Sequence, residues 1–181
     1  HHLGGDLKLV TILFLDIRDF TPLAARMGPE ELVTLLNRVF GPMIQAVWEE
    51  RGEVLTFLGD GFVAVFGAPI TAEDHAMRAV RAARRIHERC EPGIRIGIGL
   101  HSGPVVAGSV GAPERKQYTV IGEAVNLASR IESHTKEAKR PILLSGDTAA
   151  RLDESIPLDA IGPARLKGVA EPVSLFALRH V

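Results

Sequence analysis

The sequence lacks most of the features that would place it in a specialised class of protein. It has a single cysteine, Cys90, which excludes an internal disulfide bond and is consistent with a reducing cytosol. Its formal net charge of −1 lacks the basic excess that marks a nucleic-acid-binding protein. No apolar run approaches the roughly 20 residues that span a bilayer. We therefore expect a soluble, cytoplasmic globular domain with no nucleic-acid partner.

Length and composition predict a single domain. The 181 residues are 46% hydrophobic and 24% charged, which are ordinary values for one globular domain with a sizeable core. His1 and His2 resemble the end of a purification tag. Residues 1–7 are therefore interpreted as a tag or linker remnant, and residues 8–181 as the domain. An excised domain of this kind is expected to lack fused regulatory domains, which could attach the full-length protein to a membrane.

The order of the predicted elements is typical of an α+β fold. Helices are predicted after Gly28, at 72–90 and at 122–139, and Gly41-Pro42 is expected to kink or split the first of them. Strands are predicted at 8–16, 53–58, 62–66, 94–100, 105–110, 117–121 and 142–144, with a closing hairpin at 158–167 and 173–178. Hairpins at Asp60-Gly61 and near Gly103 require antiparallel neighbours, which disfavours a doubly wound parallel sheet. We expect a ferredoxin-like βαββαβ core sheet covered by helices, with a C-terminal hairpin extension.

Two aspartates stand at the ends of predicted strands. Asp16 ends the apolar run at 10–15, and Asp60 lies between two strands beside a glycine. Taken alone, Asp16 suits a helix cap and Asp60 suits a hairpin turn. If the first strand pairs with the hairpin, both carboxylates stand at one end of neighbouring strands, where they can hold two metal ions about 4 Å apart. Asp19 is a further candidate ligand, although a local role at the start of a helix is favoured.

The helix predicted at 122–139 carries an amide and a guanidinium one turn apart. Asn126 and Arg130 share a helix face that points away from the apolar stripe. Such residues usually form a solvated surface, but an amide one turn before a planar guanidinium also suits a phosphoryl group. Spacing alone makes Lys167 an ordinary hairpin lysine. The seven histidines show no metal-ligand spacing.

Four motifs, at 14–21, 58–61, 118–130 and 166–168, occur in an order that resembles a known family. They are similar to the class III nucleotidyl cyclase catalytic domain of bacterial type, over nearly the whole chain. The resemblance implies that the 3′-hydroxyl of a nucleoside triphosphate attacks its own α-phosphorus and that pyrophosphate leaves. It further implies that Asp16 and Asp60 hold two divalent metal ions, Mg²⁺ or Mn²⁺.

The same resemblance implies roles for residues beyond the aspartates. Asn126 would orient the ribose, Arg130 would meet charge developing on the α-phosphate, and Lys167 would bind the terminal phosphate. Arg115, in a polar turn, would make a further phosphate contact. Family members are head-to-tail dimers in which each site takes the aspartates from one subunit and the other residues from its partner. This chain carries both sets, so a homodimer is expected.

The positions that would read the purine base depart from the family pattern. Adenylyl cyclases of the family usually use a lysine, which would stand where this chain has Thr56, and an aspartate or threonine, which corresponds to Thr119. A threonine hydroxyl makes hydrogen bonds but carries no charge. The glutamate expected of a guanylyl cyclase is also absent at Thr56. The resemblance therefore favours ATP over GTP as the substrate while leaving guanylyl or dual specificity open.

Two further hypotheses compete with this interpretation. A diguanylate cyclase has a related fold, and Gly4-Gly5-Asp6 superficially resembles its signature, but it precedes the first predicted strand instead of forming a hairpin tip. A non-catalytic, nucleotide-binding regulatory domain is the other alternative. Such domains usually lose either the metal-binding aspartates or the asparagine and arginine on the helix, and this chain keeps both sets of residues.

Overall fold

A computed structural model describes residues 5–181, so the predicted tag residues His1 and His2 lie outside the described part. The strands are β1 (Asp6–Ile17), β2 (Glu53–Phe57), β3 (Gly61–Phe66), β4 (Ile96–Ala112), β5 (Arg115–Ile121), β6 (Ile142–Ser145), β7 (Leu158–Ala164) and β8 (Val173–Leu178). The helices are α1 (Phe20–Ala25), α2 (Pro29–Glu49), α3 (His75–Glu88), α4 (Glu123–Ala138) and α5 (Gly146–Ala149). β1 begins two residues before its predicted start at Lys8, so part of the expected linker belongs to the sheet.

All the strands form one sheet, in the order β2-β3-β1-β4-β6-β8-β7, with β5 paired to β4. β1 is antiparallel to both of its neighbours, β3 and β4. The path β1-α2-β2-β3-α3-β4 therefore gives the strand order β2-β3-β1-β4, which is the ferredoxin-like βαββαβ core expected from the sequence. The antiparallel hairpin of β7 and β8 joins this core through β6, as predicted for the C-terminal extension.

Helices cover both faces of the sheet, which explains why the first strand is almost continuously apolar. Leu13, Leu15 and Ile17 pack in the same cluster as residues of α2 and α3. Val10 and Ile12, on the alternate face, pack with Ala124 and Ala128 of α4 and with other apolar side chains of the sheet. Because side chains alternate along a strand, Asp16 belongs to the face that α4 covers.

The prediction of two separate strands at 94–100 and 105–110 is wrong, because the structure has the single 17-residue strand β4. β4 pairs with β1 without interruption from Ile96 to Ala107. On its other side, β4 pairs with β6 only as far as Leu100 and with β5 only from Val106. Pro104 lies in the gap between those partners, where a missing backbone N–H is tolerated.

Other element boundaries also differ from the predicted ones. α1 begins at Phe20, directly after Asp19 in the left-handed conformation. α2 runs through Pro42 without a break, and its buried face of Val39, Phe40 and Met43 holds the helix against the sheet. No helix within residues 5–181 has the length and hydrophobicity needed to cross a membrane.

The backbone of α4 lies close against β4 at Gly99, which gives a test of this packing. A Cβ atom at Gly99 would overlap the Ala128 carbonyl oxygen and the Glu132 amide nitrogen, whereas one at Gly41 in α2 meets nothing within 4 Å apart from its chain neighbours. Gly99→Ala should destabilise the fold by about 1–3 kcal/mol through overpacking. Gly41→Ala should change the free energy of unfolding by less than about 1 kcal/mol, because the better helix propensity of alanine is opposed by contact of its Cβ atom with the ring of Pro42. Urea unfolding measures both values, and equal effects would contradict the packing described here.

Candidate functional site

The two aspartates predicted to act together stand side by side. In the antiparallel register of β1 and β3, Asp16 lies opposite Gly61, and the Ile17 amide donates a 2.7 Å hydrogen bond to the Asp60 carbonyl oxygen. A side chain at Gly61 would come within 2.9 Å of the Asp16 Cα atom, so glycine is needed for this close approach. The expected pairing of the first strand with the hairpin is confirmed.

The Asp16 carboxylate has the properties of a cation ligand. Its Oδ1 atom is buried and has no hydrogen-bond partner among the described residues. Burial raises the pKa of Asp16, and the nearby negative charge of Asp60 raises it further. A hard divalent cation would offset both the cost of burying the Asp16 charge and its repulsion from Asp60, so the two aspartates fit Mg²⁺ or Mn²⁺. Within residues 5–181 no third Asp, Glu, His or Cys joins a metal-binding group, so substrate phosphates and water would complete the coordination.

A third carboxyl group, which the sequence analysis missed, lies near Asp16. Glu132 of α4 is 2% exposed. Asp16 pairs with Gly97 of β4, and a Cβ atom at Gly97 would lie 2.7 Å from Glu132 Oε2. Burial, followed by the proximity of the Asp16 carboxyl group, raises the pKa of Glu132 from 4.5 to about 9, so Glu132 keeps its proton at neutral pH in the protein without metal. The apolar stripe of α4 indicates this position, because residue 132 lies four residues after the buried Ala128.

Arg18 and Thr135 surround Glu132. The Arg18 Nη1 atom lies 3.9 Å from Glu132 Oε2, and its Nη2 atom donates to the Thr135 hydroxyl. The Thr135 hydroxyl in turn donates to the Glu132 carbonyl oxygen at 2.5 Å. Asp19 has a local role, because its exposed carboxylate accepts a 2.6 Å hydrogen bond from Arg95. It does not join the aspartate pair.

Asn126 and Arg130 lie on the solvent-exposed face of α4, opposite the face that carries Glu132. The Arg130 guanidinium sits close to Gly168, with Nη2 3.7 Å from where a Cβ atom would stand. Arg130 is thereby brought next to the loop that carries Lys167. Among the described residues, no hydrogen bond or ion pair joins Asn126 or Arg130 to the aspartate pair. One chain therefore presents two separate groups of predicted site residues.

The remaining predicted residues lie on β2, the first strand of the hairpin that carries Asp60, and on β5. Thr56 is exposed on β2, and its hydroxyl is 3.4 Å from the Phe57 carbonyl oxygen. The Gln117 side chain donates to the Leu55 carbonyl oxygen at 3.0 Å, which brings β5, with Thr119, beside β2. Arg115 is exposed where β5 begins, opposite Ala112. No described hydrogen bond or ion pair connects it to the other predicted residues.

Comparison with known proteins gives a family match over almost the whole chain. The sequence model of the adenylate and guanylate cyclase catalytic domain matches residues 5–180. Adenylate cyclase 1 of Rhizobium meliloti (strain 1021) is 34% identical over 189 residues, covering 97% of this chain and 28% of its own length. The chain thus spans less than a third of that curated relative.

Solved structures with the same fold include both kinds of purine nucleotide cyclase. The guanylyl cyclase Cya2 has 34% identity and a TM-score of 0.84, covering 97% of this chain and 94% of its own. The adenylyl cyclase CyaB from P. aeruginosa has 30% identity and a TM-score of 0.85, covering 97% and 96%. Overall similarity to these proteins therefore does not decide between adenine and guanine as the base of the substrate.

The raised pKa of Glu132 gives a stability test with a defined sign. Between about pH 4.5 and 9 the folded state keeps the Glu132 proton that the unfolded state has lost, so stability falls as pH rises through this window. Glu132→Gln removes this titration. As pH rises, the free energy of unfolding of the variant should therefore increase relative to that of the wild type, by at most about 1.4 kcal/mol per pH unit.

Urea unfolding in EDTA at several pH values between 5 and 8.5 measures this difference. Glu137→Gln is the matched control, because Glu137 lies on the same helix with an 80% exposed side chain. Parallel profiles for Glu132→Gln and the wild type would show that Glu132 ionises normally in the folded protein.

Proposed function

The chain belongs to the class III adenylate and guanylate cyclase catalytic domain family, and we propose that it converts ATP to 3′,5′-cyclic AMP and pyrophosphate. In this reaction the 3′-oxygen of the ribose forms a bond to the α-phosphorus and the 3′-hydroxyl proton is released. The bond from the α-phosphorus to the oxygen that bridges to the β-phosphorus breaks, and pyrophosphate leaves. The observation that carries the proposal is the register of β1 and β3, which sets Asp16 beside Asp60.

Asp16 and Asp60 would hold two divalent ions, Mg²⁺ or Mn²⁺. When bound, such ions acidify the attacking hydroxyl and neutralise the triphosphate. The buried, unpartnered Asp16 Oδ1 atom beside a second carboxylate supports this role. In the protein without metal, the neighbouring Glu132 keeps its proton and adds no further charge.

The exposed residues of α4 and its neighbouring loop would act on the substrate. Asn126 would orient the ribose, and Arg130 would stabilise charge developing on the α-phosphate oxygens. Lys167 would bind the terminal phosphate, and the contact of Arg130 with Gly168 supports a shared phosphate site. Arg115 would add a further phosphate contact from the tip of the β4–β5 hairpin.

The separation of the two residue groups supports a composite site in a homodimer. Asp16 and Asp60 lie on one side of α4, whereas Asn126 and Arg130 project from its exposed face. A two-fold dimer that brings the exposed face of one α4 to the aspartates of its partner would assemble two equivalent sites. Because the chain spans 28% of adenylate cyclase 1, we further propose that regulatory domains are fused to it in the full-length protein.

ATP is the proposed substrate, with a modest preference over GTP. Thr56 and Thr119 are small neutral groups that can hydrogen-bond to either purine directly or through water. Strong discrimination requires a buried polar group that the wrong substrate leaves unpaired, and adaptable hydroxyls keep that penalty small. The absence of an acidic residue at Thr56 removes the acceptor that guanine would need.

Mixing two inactive variants tests the composite site. Asp60→Ala should abolish cyclisation by removing a metal ligand, and Arg130→Ala should lower its rate by about 10²–10³. After subunit exchange, the mixture should recover up to about a quarter of wild-type activity, since about half the dimers are mixed and each contains one intact site. Mass spectrometry of the native dimers confirms exchange. Exchange without recovery would argue for sites within single chains.

Substitutions at Thr56 test the substrate. Thr56→Lys should sharpen the preference for ATP, and Thr56→Glu should shift it toward GTP, because each adds a charge that matches one purine edge. The exposed Thr34 on α2 supplies the controls Thr34→Lys and Thr34→Glu, which should change neither preference. The measurement is kcat/KM for both nucleotides. A wild type that prefers GTP by more than about tenfold, roughly 1.4 kcal/mol, would overturn the substrate and leave the cyclase activity standing.

A further inference from the structure

A continuous chain of side-chain hydrogen bonds joins two buried histidines that have no part in the reaction described above. Its ends are His75 of α3, which is 3% exposed, and His101 of β4, which is 7% exposed. Four hydroxyl groups, each on a residue at most 2% exposed, connect the two rings in the order Thr11, Ser102, Thr148 and Ser145. The chain therefore ties α3 and α5 to β1, β4 and β6 through the interior of the domain.

The links of this chain are short except for one. The Nδ1 atom of His75 lies 2.7 Å from Thr11 Oγ1, which lies 2.7 Å from Ser102 Oγ, and Ser102 Oγ lies 3.0 Å from Thr148 Oγ1. At the other end, Ser145 Oγ lies 2.7 Å from the Nδ1 atom of the second histidine. The link between Ser145 and Thr148 is 3.4 Å, which is long for a hydroxyl pair. The weakest point of the chain is therefore at the start of α5, where Ser145 is the helix cap.

The number of protons in the chain determines the state of both histidine rings. Each hydroxyl group has one proton to donate, and among the described residues none of the four has an acceptor outside the chain. Five links therefore share four hydroxyl protons, and one of the two Nδ1 atoms must supply the fifth. When both rings are neutral, one carries its proton on Nδ1 and the other on Nε2.

The same count limits how many protons the chain can take up. One added proton binds Nε2 of the ring that already has a proton on Nδ1, and every link stays intact. A second added proton gives both Nδ1 atoms a proton, so one hydroxyl proton is left without an acceptor. A buried group without a partner is costly, and the long link between Ser145 and Thr148 is where the chain opens most easily.

We propose that this chain is an acid-sensitive latch, which stays closed while at most one of its two histidines is charged and opens at the start of α5 when both are charged. The two rings then titrate as one coupled pair although they lie at opposite ends of the chain. This inference does not depend on the proposed cyclase reaction, because none of the six side chains is assigned to it.

The charges around the two rings agree with a latch that is closed at neutral pH. Burial lowers the pKa of both histidines; Arg151 lowers that of His75 further, whereas Asp74 raises it, and Asp147 raises that of His101. His75 also lines a cavity of about 600 Å³ together with charged residues of other elements, namely Asp6, Lys8, Glu73 and Arg151. Below about pH 6.5 the folded state therefore binds fewer protons than the unfolded state and loses stability as pH falls.

Nitrogen-15 NMR of the histidine rings at pH 8 tests the proton count. The chemical shifts of Nδ1 and Nε2 distinguish the two neutral forms of each ring. We expect one of His75 and His101 to carry its proton on Nδ1 and the other on Nε2. If the two arrangements exchange rapidly, the fractions of the Nδ1-protonated form in the two rings should add up to one. Two rings protonated on the same nitrogen would overturn the proposal.

Breaking the chain at its far end tests whether the two rings are coupled. Ser145→Ala removes the last hydroxyl group before the second histidine, so a proton on His75 would leave a hydroxyl proton unpaired. The pKa of His75, measured by NMR titration, should fall by about one to two pH units. In a Ser102→Ala protein, where the chain is already interrupted, adding Ser145→Ala should leave the pKa of His75 unchanged. Ser174→Ala, at an exposed position on β8, is the control and should have no effect.

Two results of these titrations would contradict the latch. One is an unchanged pKa of His75 in Ser145→Ala, and the other is an equal fall with and without Ser102→Ala. Circular dichroism establishes that each variant is folded. Thr148→Val, which interrupts the same link and keeps the bulk of the side chain, takes the place of Ser145→Ala if that variant does not fold.

Amide hydrogen exchange tests where the latch opens. The Thr148 amide donates to Ser145 Oγ at 3.3 Å, so it reports on the start of α5. Its protection factor should fall by about tenfold or more between pH 7 and pH 4.5 in the wild type, whereas the amides of α4 should keep theirs. Constant protection of Thr148 over this range, or an equal loss in α4, would show that acid does not open the chain at α5 and would overturn the proposal.

Discussion

The close packing of backbone around the end of β1 determines where the two aspartates and the residues of α4 lie. β1 pairs with β3 on one side and β4 on the other through the same residues. Gly61 brings the β3 backbone against Asp16, and Gly99 brings α4 down onto β4. Because one strand end receives both contacts, the aspartate pair and the helix that carries Asn126 and Arg130 are set by a single piece of backbone packing.

Electrostatics then makes that strand end suitable for binding a cation. Asp16 lies near the negative charge of Asp60, whereas the raised pKa of the neighbouring Glu132 keeps that carboxyl group uncharged in the protein without metal. A third buried negative charge in this place would be costly. Asp16 Oδ1 meanwhile has no hydrogen-bond partner among the described residues, which is the condition that favours metal binding.

The features that depend on local sequence pattern were predicted correctly, whereas those that depend on tertiary contacts were not. The hairpin at Asp60 and the helix at Arg130 follow from turn residues and apolar periodicity, and both were found. Gly103-Pro104 has the composition of a turn. It is nevertheless part of β4, because β1 pairs with β4 without interruption from Ile96 to Ala107. Glu132 lies four residues after Ala128 on the apolar stripe of α4, but it was missed because charged residues on a helix are usually solvated. The depth of α4 on the sheet explains why this one is buried.

In the proposed dimer, each active site takes its aspartates from one subunit and its arginine and lysine from the other. A crystal structure of the dimer with Mn²⁺ and 3′-deoxy-ATP, which lacks the attacking hydroxyl, tests it most directly. We expect anomalous Mn²⁺ density between Asp16 and Asp60 of one protomer, with the triphosphate contacting Arg130 and Lys167 of its partner. Metal density away from the aspartates, or a nucleotide bound wholly within one chain, would contradict it.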